Sequence, residues 1–176
     1  MLKITKEDIL EWSKKYDSRY RGTNDEITEI KLKQLLEKQR YLNKPEFIEL
    51  CKWKTPRPRK HYERNDEKLV RENTRDSFST NDEKKRIKLL DDLKGVSLPI
   101  ASAILHFAFL NRYPILDFRA IWSLGWGKPK ISYRFWQSYC NRISEISRQV
   151  NLPIRIIDKA LWEYSKQKQP TPCKRL

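Results

Sequence analysis

Glycine, cysteine, histidine and long apolar runs are all scarce in this 176-residue chain. Four glycines leave few places for left-handed backbone. Together with little β-branched alternation and a recurring apolar spacing of three and four, that scarcity predicts an all-α protein. The three cysteines, Cys51, Cys140 and Cys173, stand apart with no pair at metal-ligand spacing, which argues against a zinc site. His61 and His106 have no neighbour that would make a nucleophile dyad. There is no phosphate-binding P-loop, and no second carboxylate at a spacing that suggests a two-metal nuclease. No secretion signal or N-terminal apolar segment is visible, so the expected setting is a reducing cytoplasm, nucleoid-associated in a prokaryote.

Acid is the other shortage. With 23 Asp and Glu against 38 Lys and Arg, the formal net charge is +15. Nucleic acid satisfies such a charge, as would an anionic membrane surface or an acidic protein. No basic amphipathic segment with a dominant apolar face favours the membrane. The excess is concentrated in residues 52–60, KWKTPRPRK, which hold five basic residues and no acid. Two prolines forbid a helix through this stretch, so it reads as a basic loop. Lys52, Lys54, Arg57, Arg59 and Lys60 there either contact phosphates or remain solvated surface, with phosphate contact favoured. Trp53 either anchors that loop or reaches toward a base. The charge favours a monomer on its partner over a tight self-dimer.

The apolar spacing predicts helices over residues 5–16, 26–38, 44–52, 65–76, 82–93, 99–109, 118–126, 133–150 and 153–165. Thr5, Asn24, Asn43, Thr80 or Asn81, and Ser132 are candidate caps, and Pro153 fits a first helical turn. The basic, proline-containing end, 167–176, reads as a mobile tail.

What is present in most informative form lies between Leu90 and Asp117: LDDLKGVSLPIASAILHFAFLNRYPILD. Leu90, Leu93, Val96, Ala101, Ile104 and Leu105 supply the apolar faces of two short helices. Gly95 in the connection tolerates the positive φ of a tight turn, and Pro99 fits the first turn of the second helix. Such a turn points main-chain N–H groups outward at a helix N-terminus, a seat for a phosphate that carries no base preference. Asp117 closes the segment ahead of an apolar run, where an aspartate is a good N-cap.

Residues 89–124 resemble the helix-hairpin-helix DNA glycosylase superfamily, the endonuclease-III-like base-excision repair enzymes. In that family a hairpin of the form LPGVG is followed by a small-residue helix and then a catalytic aspartate. Here LKGVS occupies the hairpin and Asp117 lies 20 residues beyond Ser97. Ser97 stands where the family usually has a second glycine, and Lys94 where proline is common. Pro99 stands where bifunctional members carry the lysine that forms a Schiff base with the sugar. The resemblance therefore implies a monofunctional enzyme, which removes a damaged or mismatched base from duplex DNA without cutting the strand.

It further implies two helical lobes with a cleft between them, one over residues 31–128 and the other over 1–30 with 129–166. Lys94, Gly95, Val96 and Ser97 would grip phosphate, and Arg119 would either contact phosphate or lie on the surface. The carbonyls of Asp91, Leu93 and Val96 align with those that hold a monovalent cation in some relatives. The four-cysteine iron–sulfur cluster of many relatives has no ligands here, so no other cofactor is expected.

Base removal leaves positive charge on the sugar, which a fixed carboxylate at Asp117 would stabilise while orienting the attacking water. The base must first leave the stack, so aromatic walls are expected. Trp53, Tyr62, Trp122 and Trp126 are the candidates, each also a natural core residue. Two other readings stand beside this one. The chain could be a non-catalytic DNA-binding or damage-sensing module with Asp117 only as a cap, or a basic scaffold for RNA or an acidic protein.

Overall fold

A computed structural model describes residues 1–2 and 4–169. The protein is all-α: among the described residues there are ten helices and no strand. In order these are α1 (Lys6–Tyr20), α2 (Asn24–Lys38), α3 (Lys44–Lys54), α4 (Arg59–Tyr62), α5 (Glu67–Ser79), α6 (Glu83–Asp91), α7 (Leu98–Ala108), α8 (Phe118–Ser123), α9 (Tyr133–Val150) and α10 (Ile154–Lys168).

Most starts follow from side-chain capping, which satisfies amides that have no helical partner; α4, α7 and α10 have no such cap. Thr5, Asn43, Asp117 and Ser132 cap as their positions suggest, and Asn43 forms a reciprocal capping box with Glu46. Three expectations shift. Thr23 rather than Asn24 caps α2, Asp82 rather than Thr80 or Asn81 caps α6, and Pro153 is the N-cap of α10 rather than its first residue. The first two shifts are of one or two residues, because adjacent short polar side chains compete for the same amides, and the third is a single position at a start with no side-chain cap.

The basic stretch 52–60 is less of a loop than its prolines suggest. α3 runs through Lys54, Pro56 and Pro58 occupy the break, and α4 starts at Arg59. At the other end α10 continues to Lys168 and Gln169 caps it, so residues 167–169 belong to the helix and its cap rather than to the expected tail. The remainder of that expectation, from residue 170, lies outside the described residues.

The chain divides into two compact units, Met1–Arg21 with Asn111–Leu176, and Gly22–Leu110. Those divisions fall at 21/22 and 110/111 rather than at 30/31 and 128/129. The cause is packing: α2 lies against α3 and α7, whereas α8 lies against α10. In the first unit α10 packs on α1, α8 and α9 around Ile9, Tyr139, Ile143, Ile157 and Leu161, all fully buried. In the second, α3 and α7 are central, and Leu32, Phe47, Leu50, Ile100 and Ile104 form the core. No helix among the described residues is long and apolar enough to cross a membrane.

Candidate functional site

Within the Gly22–Leu110 unit, α6 and α7 pack together across the connection 92–97. The connection tightens through a Val96 N–H to Leu93 C=O hydrogen bond of 3.0 Å and a left-handed Gly95 at φ +88°. A Cβ on Gly95 would stand 2.8 Å from the Tyr62 ring and 2.9 Å from His61 Cβ. Glycine is therefore required twice, once by the backbone angle and once by the close approach of α4.

The turn is fastened by Asn65, a fully buried amide. It accepts the Lys94 N–H at 2.7 Å and donates to the Lys94 C=O at 3.0 Å, with a further 2.9 Å bond to Tyr62 C=O. One side chain thus satisfies both main-chain groups of the residue beside Gly95. Sequence inspection gave no signal for this role: Asn65 reads there only as the first residue of the helix expected over 65–76, which in the structure starts at Glu67 after the Asp66 cap.

α7 starts without a side-chain cap: the Ser97 hydroxyl makes no cap hydrogen bond. Among the described residues the amides of Gly95, Ser97 and Leu98 donate to no protein group. Lys94 is exposed on the same turn, and exposed Lys60, His61 and Arg64 lie on or just after α4, which packs against it. The result is a set of amides without a protein acceptor at a helix N-terminus, with exposed Lys94 on the same turn and exposed Lys60 and Arg64 on or just after the neighbouring α4, an arrangement suited to an anion. Val96 itself is buried and serves the core rather than the surface.

The remaining members of the basic track divide by their surroundings. Lys52 and Lys60 are exposed at the end of α3 and on α4, Lys54 is half-buried on the last turn of α3, and Arg57 is exposed between the prolines. Arg59 is committed elsewhere: its Nε donates to Glu63 at 2.6 Å, and this bond holds the Glu63 carboxyl below its ordinary range. Of the three carbonyls proposed for a monovalent cation, that of Leu93 already accepts the Val96 N–H. No cluster of His, Cys, Asp and Glu suited to a metal occurs among the described residues.

Asp117 belongs to the other unit, the one built from both chain ends. It is half-buried and extended, at φ −139° and ψ 139°, and its Oδ1 accepts the Arg119 N–H at 2.9 Å. The carboxylate is thereby oriented at the N-terminus of α8. The Arg119 guanidinium sits 5.1 Å from the centroids of both Phe118 and Trp162, a cation held between two rings.

The aromatic candidates resolve mostly into anchors. Tyr62 is fully buried beneath Gly95, and its hydroxyl donates to Thr55 C=O at 3.2 Å. Burial pushes its phenol pKa well up, and a ring so placed cannot stack on an extruded base. Trp53 anchors α3, donating from Nε1 to Asp25 C=O at 3.0 Å and meeting Phe107 edge-on. Trp122 packs against Tyr164, and Trp126 meets Phe135 and Tyr139 edge-on; both are half-buried in the terminal unit. His106 is buried in α7, edge-on to Phe107.

Two further polar residues that sequence reasoning passed over hold the main chain two positions before Asp117. Asp158, 4% exposed on α10, accepts the Ile115 N–H at 3.0 Å. Tyr139, fully buried on α9, donates to Ile115 C=O at 3.1 Å. The available signal was Asp158 itself, a charge at helical spacing among the buried Ile154, Ile157 and Leu161.

No protein-family model, curated protein or solved structure matches the chain at a significant level.

Proposed function

We propose that the chain binds duplex DNA through the α6–α7 turn and removes a damaged or mismatched base by hydrolysis of its N-glycosidic bond, with Asp117 as the catalytic carboxylate. The observation that carries the reading is the uncapped start of α7. Free amides at Gly95, Ser97 and Leu98, exposed Lys94 and Lys60, and the buried Asn65 clamp together make a rigid seat for a backbone phosphate. Asp117 supplies what base loss needs, a held negative charge for a sugar that becomes cationic. Pro99 offers no amine at the position of the family's lyase lysine, so base release leaves the strand intact. Duplex DNA is the partner, Lys52, Lys54, Arg57 and Lys60 extend the electrostatic track, and the protein acts as a monomer within the cell interior.

A non-catalytic DNA-binding module is the second reading, and the capping bond from Arg119 N–H to Asp117 favours it, since a cap alone would account for that aspartate. Asp117→Asn separates the two. Asparagine caps a helix as well as aspartate does, so the fold is retained while the charge is lost. Free-base release from alkylated, deaminated and oxidised duplexes, read by mass spectrometry, is expected from wild type and to fall by about 10³-fold in the variant. Duplex affinity is expected to stay level or rise. No release from wild type, with salt-dependent binding intact in both proteins, selects the non-catalytic module.

A further inference from the structure

We propose that Asp158 and Tyr139 are positioning residues for Asp117, acting by clamping both polar groups of the Ile115 main chain; this rests on the base-removal reading of Asp117. Residues 113–116 are buried yet belong to no helix, so their main-chain groups have no ladder to join. Ile115 is served instead by two side chains from two helices, the Asp158 carboxylate taking its N–H and the Tyr139 hydroxyl meeting its C=O. Only Leu116 separates that clamp from Asp117, whose own carboxylate is tied to the Arg119 N–H.

The choice of residue at 158 needs a reason beyond packing. Its neighbours on that face of α10, Ile154, Ile157 and Leu161, are all buried, and an apolar side chain would fill the place without desolvating a charge. A carboxylate is the strongest acceptor available for one N–H, and it fixes that peptide plane in direction as well as position. Burial raises the Tyr139 pKa far above its ordinary value, and the Asp158 and Asp117 charges add to the rise. The phenol therefore stays protonated and remains a donor.

The test uses the full chain as wild type, Asp158→Ala, Asp158→Asn and Tyr139→Phe. Three quantities are read: single-turnover release of a base that wild type removes, the Kd for a short undamaged duplex, and amide hydrogen exchange at Arg119 and across 94–98. Loss of the clamp in Asp158→Ala is expected to slow release about 100-fold, the cost of a small misplacement of a catalytic group. The Kd and the exchange across 94–98 stay unchanged, while the Arg119 amide, protected by Asp117, exchanges faster. Asp158→Asn keeps an acceptor oxygen for the Ile115 N–H and restores most of the rate.

Wild-type release rate in a folded Asp158→Ala, a parallel loss of rate and affinity, or unaltered Arg119 exchange overturns the proposal. If Asp158→Ala does not fold, Tyr139→Phe, which removes one hydroxyl and keeps the ring, is read by the same criteria. Absence of base release from wild type defeats the catalytic reading alone, and the Arg119 exchange in the variants still decides whether the clamp holds Asp117.

Discussion

Two helix N-termini in this molecule solve the same problem in opposite ways. α7 follows Ser97, whose hydroxyl makes no cap bond, and the amides of Ser97 and Leu98 have no protein acceptor near exposed Lys94. α8 follows Asp117, whose carboxylate supplies the acceptor from within the chain. Each helix start has unsatisfied amides and a partial positive charge. The first leaves them without a protein acceptor and the second meets one of them with a side chain of its own. Their supports differ as well. The α7 turn is held by a neutral amide, Asn65, and by a glycine pressed on Tyr62, whereas the approach to α8 is held by a buried carboxylate and a buried phenol. A neutral support beside the first terminus leaves the positive end of α7 uncompensated by the chain, whereas a charged one stands beside the second.

The comparison breaks most severely at Gly95. Gly95→Ala must take φ +88° and find room within 3 Å of Tyr62 and His61, so strain and overpacking together are expected to cost about 2–5 kcal/mol in chemical denaturation. Gly22→Ala, at φ +70° in open space, is the control and should cost only about 1 kcal/mol.

Ser97→Asp would convert the first terminus into the second kind. The added carboxylate caps α7, raising stability by about 0.5–1 kcal/mol. It also places a like charge against phosphate, and duplex affinity should fall at least about tenfold in fluorescence titration.

At α8 the converse change is Asp117→Ala, which removes cap and charge together. Thermal or chemical unfolding should show a loss of about 1 kcal/mol that Asp117→Asn does not share.

The smallest effect separates two cations of the same basic surface. Lys94→Ala should lower the slope of log Kd against log salt by about 0.9, one phosphate contact. Arg59→Ala should change it less, because Arg59 is already paired with Glu63 at 2.6 Å.

Local features of the sequence were the ones that could be read directly. Apolar spacing of three and four placed nine of the ten helices among the described residues to within a few residues of their ends, and short polar residues marked most starts. The tenth, α4, is one turn long between two prolines and has no periodicity to detect. Gly95 and Asp117 were legible for the same reason, since a positive φ and an N-cap are demands made by immediate neighbours. Trp53, Tyr62 and Arg59 were not separable from true surface groups, because their partners, Asp25, Gly95 and Glu63, are met only when helices pack or turn.

Helical class, the glycine turn ahead of α7 and the aspartate ahead of α8 were determined by the sequence by itself, because backbone angles and capping bonds depend on residues no more than four apart. Only the tertiary structure decided that Asn65 holds Lys94 from 29 residues away, and that Asp158 and Tyr139 hold Ile115 from 43 and 24. A buried polar group must find its partner wherever packing brings one, and no local pattern records which that will be.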